Sequence, residues 1–79
     1  MFFRQLKYFA AVAEFGRFSE AAKRVHVSQP ALGMQVKKLE EELGAQLFNR
    51  HSRGVELTAA GNILFGYATE IIDKVEEAK

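Results

Sequence analysis

A mainly α-helical fold, with one short β-hairpin and a long final helix, is the class that this 79-residue sequence predicts. In four stretches apolar residues recur every three or four positions, the spacing that places them on one face of a helix. After Gly44 this period is lost, and a polar turn that ends in glycine, HSRG, separates two short strand-like segments. We therefore expect three core helices, a hairpin and a fourth helix, in that order.

The third helix has the clearest signals. The apolar residues Leu32, Val36, Leu39 and Leu43 form one stripe, which must face a core. Ser28 is a suitable N-cap, Pro30 is tolerated in the first turn, and Gly44 is a typical left-handed stop. The opposite face of its first two turns is small and poor in charge, and consists of Gln29, Pro30, Gly33, Met34 and Lys37. A surface of this kind favours close approach by a partner.

Two shorter helices precede it. The first is predicted from Phe3 to about Phe15 with Leu6, Phe9, Ala10 and Ala13 on its buried side, and Gly16 ends it. The second is EAAKRV, with Ser19 as its N-cap and Phe18 as a possible hydrophobic staple. Only a tight turn separates it from the third helix, which indicates a helix-turn-helix. An ordinary corner between two helices fits this spacing equally well.

The hairpin that follows a helix-turn-helix is termed a wing, and its tip is basic here. AQLFNR and GVELT form its strands, anchored by Leu47, Val55 and Leu57. Arg50 and Arg53 flank the tip, where positive side chains can reach a phosphate or enter a narrow minor groove. The alternative is a solvated basic turn with no ligand.

Thr58 is the predicted N-cap of a last helix that extends to near Lys79. Its apolar stripe is longer than so small a domain can cover, which predicts dimerisation through the same helix of a second copy. We assign this seam to Leu64, Tyr67, Ala68, Ile71 and Val75. Gly61 and Gly66 weaken a helix, so we expect close packing at both. We therefore expect two parts, a helix-turn-helix head with its wing, 1–58, and a linker and dimerisation helix, 59–79.

The charge distribution agrees with this division. The net charge is +1, yet residues 1–53 hold nine Lys or Arg against five Glu, and residues 54–79 hold two Lys against five acidic residues. A basic front and an acidic tail suit a head that faces nucleic acid.

Several classes of function are disfavoured. Cysteine is absent, which excludes disulfides and thiolate metal sites and fits a cytoplasmic location. His26 and His51 lack carboxylates at ligand spacing, so we expect no metal and no cofactor. Ser28 and Ser52 have no oriented histidine as a base, and no glycine-rich phosphate cradle is present, so we expect no enzyme. No apolar run approaches the ~20 residues of a membrane span.

The chain resembles the amino-terminal DNA-binding domain of LysR-type transcriptional regulators. The resemblance rests on RQLKYFAAVAEFGRFSEAAKRVHVSQPAL, LEEELGAQLFNR and LTAAG, in this order and spacing, and covers essentially the whole chain. It implies a winged helix-turn-helix from a bacterium that binds double-stranded DNA, such as an inverted repeat in a promoter or operator, as a homodimer with antiparallel linker helices. It also implies an effector-binding domain, which is absent from this chain.

Carried over by position, Gln29, Pro30, Gly33 and Met34 occupy the major-groove contacts of the family, and Arg53 occupies that of the wing arginine. The whole predicted DNA-binding set is Ser28, Gln29, Pro30, Gly33, Met34, Lys37, Lys38, Arg50, Ser52 and Arg53. The family usually carries Ser-Arg where this chain has Gly33-Met34. Either the specificity of this helix is different or the segment was altered, and a degenerate protein-interaction module with weak or non-specific DNA binding is the alternative function.

Overall fold

Six elements follow one another in the predicted order in the computed structural model, which describes residues 3–79. They are α1 (Phe3–Phe15), α2 (Phe18–Val25), α3 (Gln29–Leu43), β1 (Phe48–His51), β2 (Gly54–Leu57) and α4 (Ala59–Ala78). The predicted class, mainly helical with one hairpin, is therefore confirmed. Within residues 3–79, none of the helices combines the length and the apolar character that a bilayer-spanning segment requires.

Capping contacts fix both ends of α3. Ser28 has extended backbone angles, and its Oγ accepts a hydrogen bond from the Ala31 N–H at 3.2 Å. Gly44 closes the helix with φ at 67°, and its N–H donates to the carbonyls of Glu40 and Glu41. These bonds satisfy backbone groups that a helix end leaves unpaired. The predicted boundaries of α3 are confirmed.

The start of α2 differs from the prediction. The helix begins at Phe18, and Arg17 stands at the N-cap position without a side-chain capping bond. The Phe18 ring is buried and meets the Phe48 ring edge-on, with the centroids 6.0 Å apart. The predicted cap at Ser19 is wrong because Ser19 lies within the first turn of a helix that starts early enough to bury this ring.

The core lies where the first three helices meet, and the hairpin and α4 close it. The Phe9 ring is fully buried, with its centroid 5.3 Å from that of Phe48 and 6.4 Å from that of Phe65. Aromatic contacts at these separations add to the stability gained from burial alone. The buried apolar residues are Leu6, Phe9, Ala11, Val12, Phe18, Ala21, Ala22, Leu32, Val36, Leu39, Leu47, Phe48 and Ala68.

A few predicted positions of α1 and α3 are corrected by this packing. Ala11 and Val12 take the inner positions of α1, whereas Ala10 and Ala13 are only partly buried. Leu43 is 41% exposed because α3 ends there at the Gly44 turn, and Leu47 is the next leucine in the core.

Gln5, a polar residue of α1, is buried. Its amide donates a hydrogen bond of 3.1 Å to Oε1 of Gln35 on α3. A buried amide is compatible with a stable core when it is hydrogen-bonded.

The hairpin is antiparallel and leads directly into α4. Phe48 pairs with Leu57 and His51 with Gly54, which leaves Ser52 and Arg53 at the tip. Thr58 is confirmed as the N-cap of α4, since its Oγ1 accepts from the Gly61 N–H at 3.0 Å. We use the term wing for residues 48–57.

The two glycines of α4 have different surroundings. A Cβ on Gly61 would collide with the carbonyl oxygen of Leu47 and lie 2.9 Å from Cδ2 of Leu57. Close packing is therefore confirmed at Gly61. A Cβ on Gly66 would meet nothing within 4 Å in this chain, so the prediction of close packing at Gly66 is wrong for the single chain.

Two adjacent apolar rows run along α4, and one faces the core whereas the other is exposed. Ala68 is fully buried, and Leu64 packs against the core of its own chain. The exposed row consists of Ile63, Tyr67 and Ile71, which are 66%, 61% and 44% exposed. Of the predicted seam residues, Leu64 and Ala68 therefore belong to the inner row, and Tyr67 and Ile71 belong to the outer row together with Ile63. The dimer contact itself stays a prediction.

Candidate nucleic-acid interface

The first half of α3 presents the outward face that the sequence predicts. Leu32 and Val36 are fully buried on its inner side, whereas Gln29, Pro30 and Met34 are exposed on its outer side. Met34 is 57% exposed, an unusual position for a large apolar side chain. The backbone is held at this end by Ser28, so the face is rigid as well as open.

A shallow cavity of about 280 Å³ lies between the start of α3 and the wing. We call it the recognition cleft. It brings together Gln29, Arg50, Ser52 and Arg53, four of the predicted DNA-binding residues, although at least twenty residues separate Gln29 from the others. The residues that line it are Arg17, Phe18, Ser19, Gln29, Arg50, His51, Ser52, Arg53, Gly54 and Val55.

The charge of the recognition cleft has one sign. Three arginines line it, and its described lining contains no carboxylate. Guanidinium groups bind phosphate oxygens through paired, charge-assisted hydrogen bonds. The cleft therefore suits an anion, and its position beside an exposed helix face suits an extended one.

An aromatic contact supports Arg50. Its guanidinium carbon lies 4.3 Å from the centroid of the Phe18 ring, which itself packs on Phe48 in the core. A cation over an aromatic face is attracted to the ring and loses conformational freedom. Phe18 and Arg50 both line the recognition cleft, so this contact holds the Arg50 guanidinium beside it.

Hydrogen bonds define the wing tip. The N–H of Arg53 donates to Nδ1 of His51 at 3.2 Å, and the carbonyl of Arg53 accepts from Nε of Arg17 at 3.1 Å. The backbone of Arg53 is therefore fixed on both sides. Its side chain has no ion pair or ring contact within residues 3–79, and it is exposed.

Lys37 and Lys38, also predicted to bind DNA, are not brought into the recognition cleft. Lys37 lines a separate cavity with Glu40 at the second half of α3, and Lys38 lines another with Arg4 and Gln35 on the side of α1. Pro30 and Gly33 line a cavity that adjoins the cleft, together with Gln29 and Arg50.

Arg17, Ser19 and His51 line the recognition cleft but are absent from the predicted set. The sequence offers no local signal for Arg17 and Ser19, since the start of α2 reaches the wing only in the folded chain. His51 lies in the wing itself, between Arg50 and Ser52 of the predicted set.

Comparison with known proteins gives matches to bacterial helix-turn-helix regulators. Residues 3–62 match the model of the bacterial regulatory helix-turn-helix proteins of the lysR family. The chain is 52% identical over 75 residues to the HTH-type transcriptional regulator TfdT of Cupriavidus pinatubonensis, which covers 95% of this chain and 33% of TfdT. It is 50% identical over 76 residues to ClcR of Pseudomonas putida, over 96% of this chain and 26% of ClcR. The chain thus spans a third or less of the length of these relatives.

Solved structures agree with the sequence comparison. The CbnR_DBD-DNA complex superposes with a TM-score of 0.94 at 50% identity, over 99% of this chain and 90% of that one. The BenM_DBD/catB site 1 DNA complex gives a TM-score of 0.95 at 41% identity, over 99% and 87% of the two chains. Both of these structures contain DNA.

Proposed function

We propose that this chain, which belongs to the lysR family of bacterial regulatory helix-turn-helix proteins, binds double-stranded DNA sequence-specifically as the DNA-binding part of a transcriptional regulator. The observation that carries the proposal is the convergence of two surfaces. An exposed, capped end of α3 and a cleft with three arginines meet on one side of the molecule. Relatives of the same fold, such as CbnR and BenM, were crystallised with DNA.

The end of α3 and the recognition cleft contact different parts of the DNA. The end of α3 is of a size that enters the major groove, where Gln29 can pair with an adenine edge and Met34 can contact a thymine methyl. Pro30 and Gly33 allow the helix to approach the bases closely, and Ser28 and Ser52 offer hydroxyls to the backbone. Arg53 reaches the minor groove or a phosphate from the wing tip, and Arg50 binds a phosphate at the recognition cleft.

Lys37 and Lys38 act differently from the cleft residues. Both are exposed and lie away from the wing. We assign them to the general attraction of the basic head for DNA and not to contacts with bases.

A homodimer presents two such heads to an inverted repeat. The exposed row of Ile63, Tyr67 and Ile71, extended by the partly buried Val75, supports dimerisation through α4. We assign 1–58 to DNA binding and 59–79 to the linker and dimer contact, although Phe65 and Ala68 also complete the core of the head.

The relatives are named transcriptional regulators, and we propose a regulatory role without catalysis, in the cytoplasm, for this chain too. The relatives are three to four times as long as this chain. We assign effector binding to a domain outside the present sequence.

One observation favours a second function, that of a protein-interaction module that has lost specific DNA binding. At the position where guanidinium is usual in the family, the outer face of α3 carries Met34, which has no charge and no hydrogen-bond donor. The three arginines of the recognition cleft favour DNA instead.

Titration of a fluorescent mixed-sequence duplex with the chain at several salt concentrations tests whether the chain binds the DNA backbone. The same titration with a site selected from a random DNA pool tests specific binding, which the second function lacks. We expect binding that weakens as salt rises, with a slope of about −0.9 per neutralised phosphate. Arg53→Ala should flatten the slope by about one contact. The matched control Lys74→Ala removes a cation of α4 whose side chain is 81% exposed and should leave the slope unchanged. Absence of binding at 50 mM salt, with the chain still dimeric, would contradict the proposed DNA binding and favour the second function.

A further inference from the structure

The wing is attached to the rest of the molecule through the turn between α1 and α2. The N–H of Val55 donates to the carbonyl of Gly16 at 2.8 Å, and Gly54 packs directly against the same carbonyl. A Cβ on Gly54 would collide with it, so only glycine permits this approach. These contacts fix the start of β2.

Arg17 extends this attachment to the tip. Its Nε donates to the carbonyl of Arg53 at 3.1 Å, across 36 positions of sequence. The backbone of Arg17 is itself held, since it occupies the N-cap position of α2 and its carbonyl accepts from the N–H of Ala21 at 3.0 Å. The bond therefore joins the fixed start of α2 to the backbone of Arg53, whose side chain is exposed on the wing.

A two-stranded hairpin without such support is marginal in water. Its tip would sample many conformations, and binding to DNA would have to restrict them at a cost in affinity. A tip held before DNA arrives avoids much of this cost.

We infer that Arg17 is a positioning residue for the wing, and that the contribution of Arg53 to DNA affinity depends on the hydrogen bond from Arg17 Nε to the Arg53 carbonyl. The inference rests on the proposed function. It adds a residue that the sequence-based set omits, and it assigns to Arg17 a task other than the supply of positive charge.

Two variants of Arg17 separate these tasks. In Arg17→Gln the side-chain Nε2 is as many bonds from Cα as Nε of arginine, so a donor remains while the charge is lost. In Arg17→Ala both are lost. A role in charge alone predicts the same behaviour for the two variants, whereas a positioning role predicts different behaviour.

The test is a double-mutant cycle on a duplex bound by the unmodified chain, at one salt concentration. We expect Arg53→Ala to weaken binding about tenfold in the unmodified chain and in Arg17→Gln, but less than about threefold in Arg17→Ala. The matched control is Arg24→Ala, since Arg24 lies against Phe15 at 4.9 Å and does not line the recognition cleft. In that background Arg53→Ala should keep its full effect.

Measurements on the free chain provide a second readout. Backbone ¹⁵N relaxation at Ser52, Arg53 and Gly54 should show a more mobile tip in Arg17→Ala than in Arg17→Gln or in the unmodified chain. Equal losses for Arg53→Ala in all backgrounds, or equal tip mobility in both Arg17 variants, would overturn the inference while leaving DNA binding intact. A complete lack of DNA binding by the unmodified chain would instead overturn the proposed function.

Discussion

The guanidinium of Arg50 and the ring of Phe18 form a contact of 4.3 Å that joins the wing to the start of α2. Phe18 is buried to 7% exposure, so its ring serves both as core and as a platform for a cation that faces the cleft. Because α2 begins at Phe18, the ring that supports Arg50 belongs to the first turn of this helix. If α2 began after Ser19, Phe18 would lie outside the helix.

The first prediction concerns this contact. Arg50→Ala should lower the free energy of unfolding by about 0.5–1 kcal/mol, the value of an exposed cation–π pair, and should also flatten the salt dependence of DNA binding. Arg53→Ala removes the same charge from a side chain without a ring contact, so it should flatten the salt dependence but leave stability unchanged. Urea unfolding of both variants checks this, and an equal loss of stability in the two would contradict it.

The second prediction uses the two glycines of α4. Gly61→Ala should destabilise the chain by about 1–3 kcal/mol because the new methyl meets the Leu47 carbonyl in a packed region. Gly66→Ala is the matched control, and it should stabilise the chain by up to about 1 kcal/mol because alanine is the better helix former and the site is open. Urea unfolding at one protein concentration measures both. A loss of stability in Gly66→Ala would show that a partner chain packs there.

The third prediction concerns the dimer. Ile71→Asp places a carboxylate in the exposed apolar row of α4, and burial of an unpaired charge is costly. Sedimentation equilibrium at micromolar concentration should show about twice 8.9 kDa for the unmodified chain and 8.9 kDa for the variant. Asn62→Asp adds the same charge at an exposed position outside this row and should remain dimeric. A monomeric unmodified chain would refute dimerisation through α4.

Local patterns were sufficient to predict most of the fold. The caps Ser28, Gly44 and Thr58 act on backbone groups within one turn of themselves, so their residue types locate these helix ends. The same holds for the Leu32, Val36 and Leu39 stripe, whose period is a property of one helix. The capping rule failed at Ser19, where burial of Phe18 determines the start of α2.

Contacts between segments that are far apart in the chain could not be predicted from the sequence. The bond from Arg17 to Arg53 and the platform under Arg50 join positions more than thirty residues apart, and no local pattern encodes them. A related limit applies to the apolar residues of α4. Helical spacing marks two neighbouring apolar rows on one helix, but only the packed chain shows that Ala68 belongs to the inner row and Tyr67 to the outer row.

The fourth prediction concerns the unusual end of α3. Met34→Arg combined with Gly33→Ser adds a charge and a hydroxyl to the outer face and removes a helix-weakening glycine. Neither site is crowded, since a Cβ on Gly33 meets nothing within 4 Å and Met34 is exposed. Binding to an inverted-repeat site of the type bound by the family should tighten at least tenfold, about 1.4 kcal/mol, with a steeper salt dependence. Unchanged or weaker binding, both there and at the site preferred by the unmodified chain, would make Gly33 and Met34 specificity residues in their own right or place them outside the interface.

The fifth prediction separates base readout from backbone contact. Gln29→Ala should weaken binding to the preferred site by roughly 1–3 kcal/mol and have little effect on mixed-sequence DNA, because a bidentate amide contact reads one base. Arg53→Ala should weaken both, since the wing contacts the backbone or a narrow groove. Competition titrations with the two duplexes make the comparison. Equal losses on both duplexes for Gln29→Ala would remove Gln29 from the base-reading residues.

The ratio of two affinities tests sequence-specific binding most directly. Selection from a random DNA pool supplies the preferred site, and the dissociation constants for that duplex and for a scrambled duplex of the same composition are then measured at physiological salt. The proposed function predicts a ratio of about 1,000 or more. A selection that enriches no common sequence, with a ratio within about threefold of one, would contradict sequence-specific recognition by this chain.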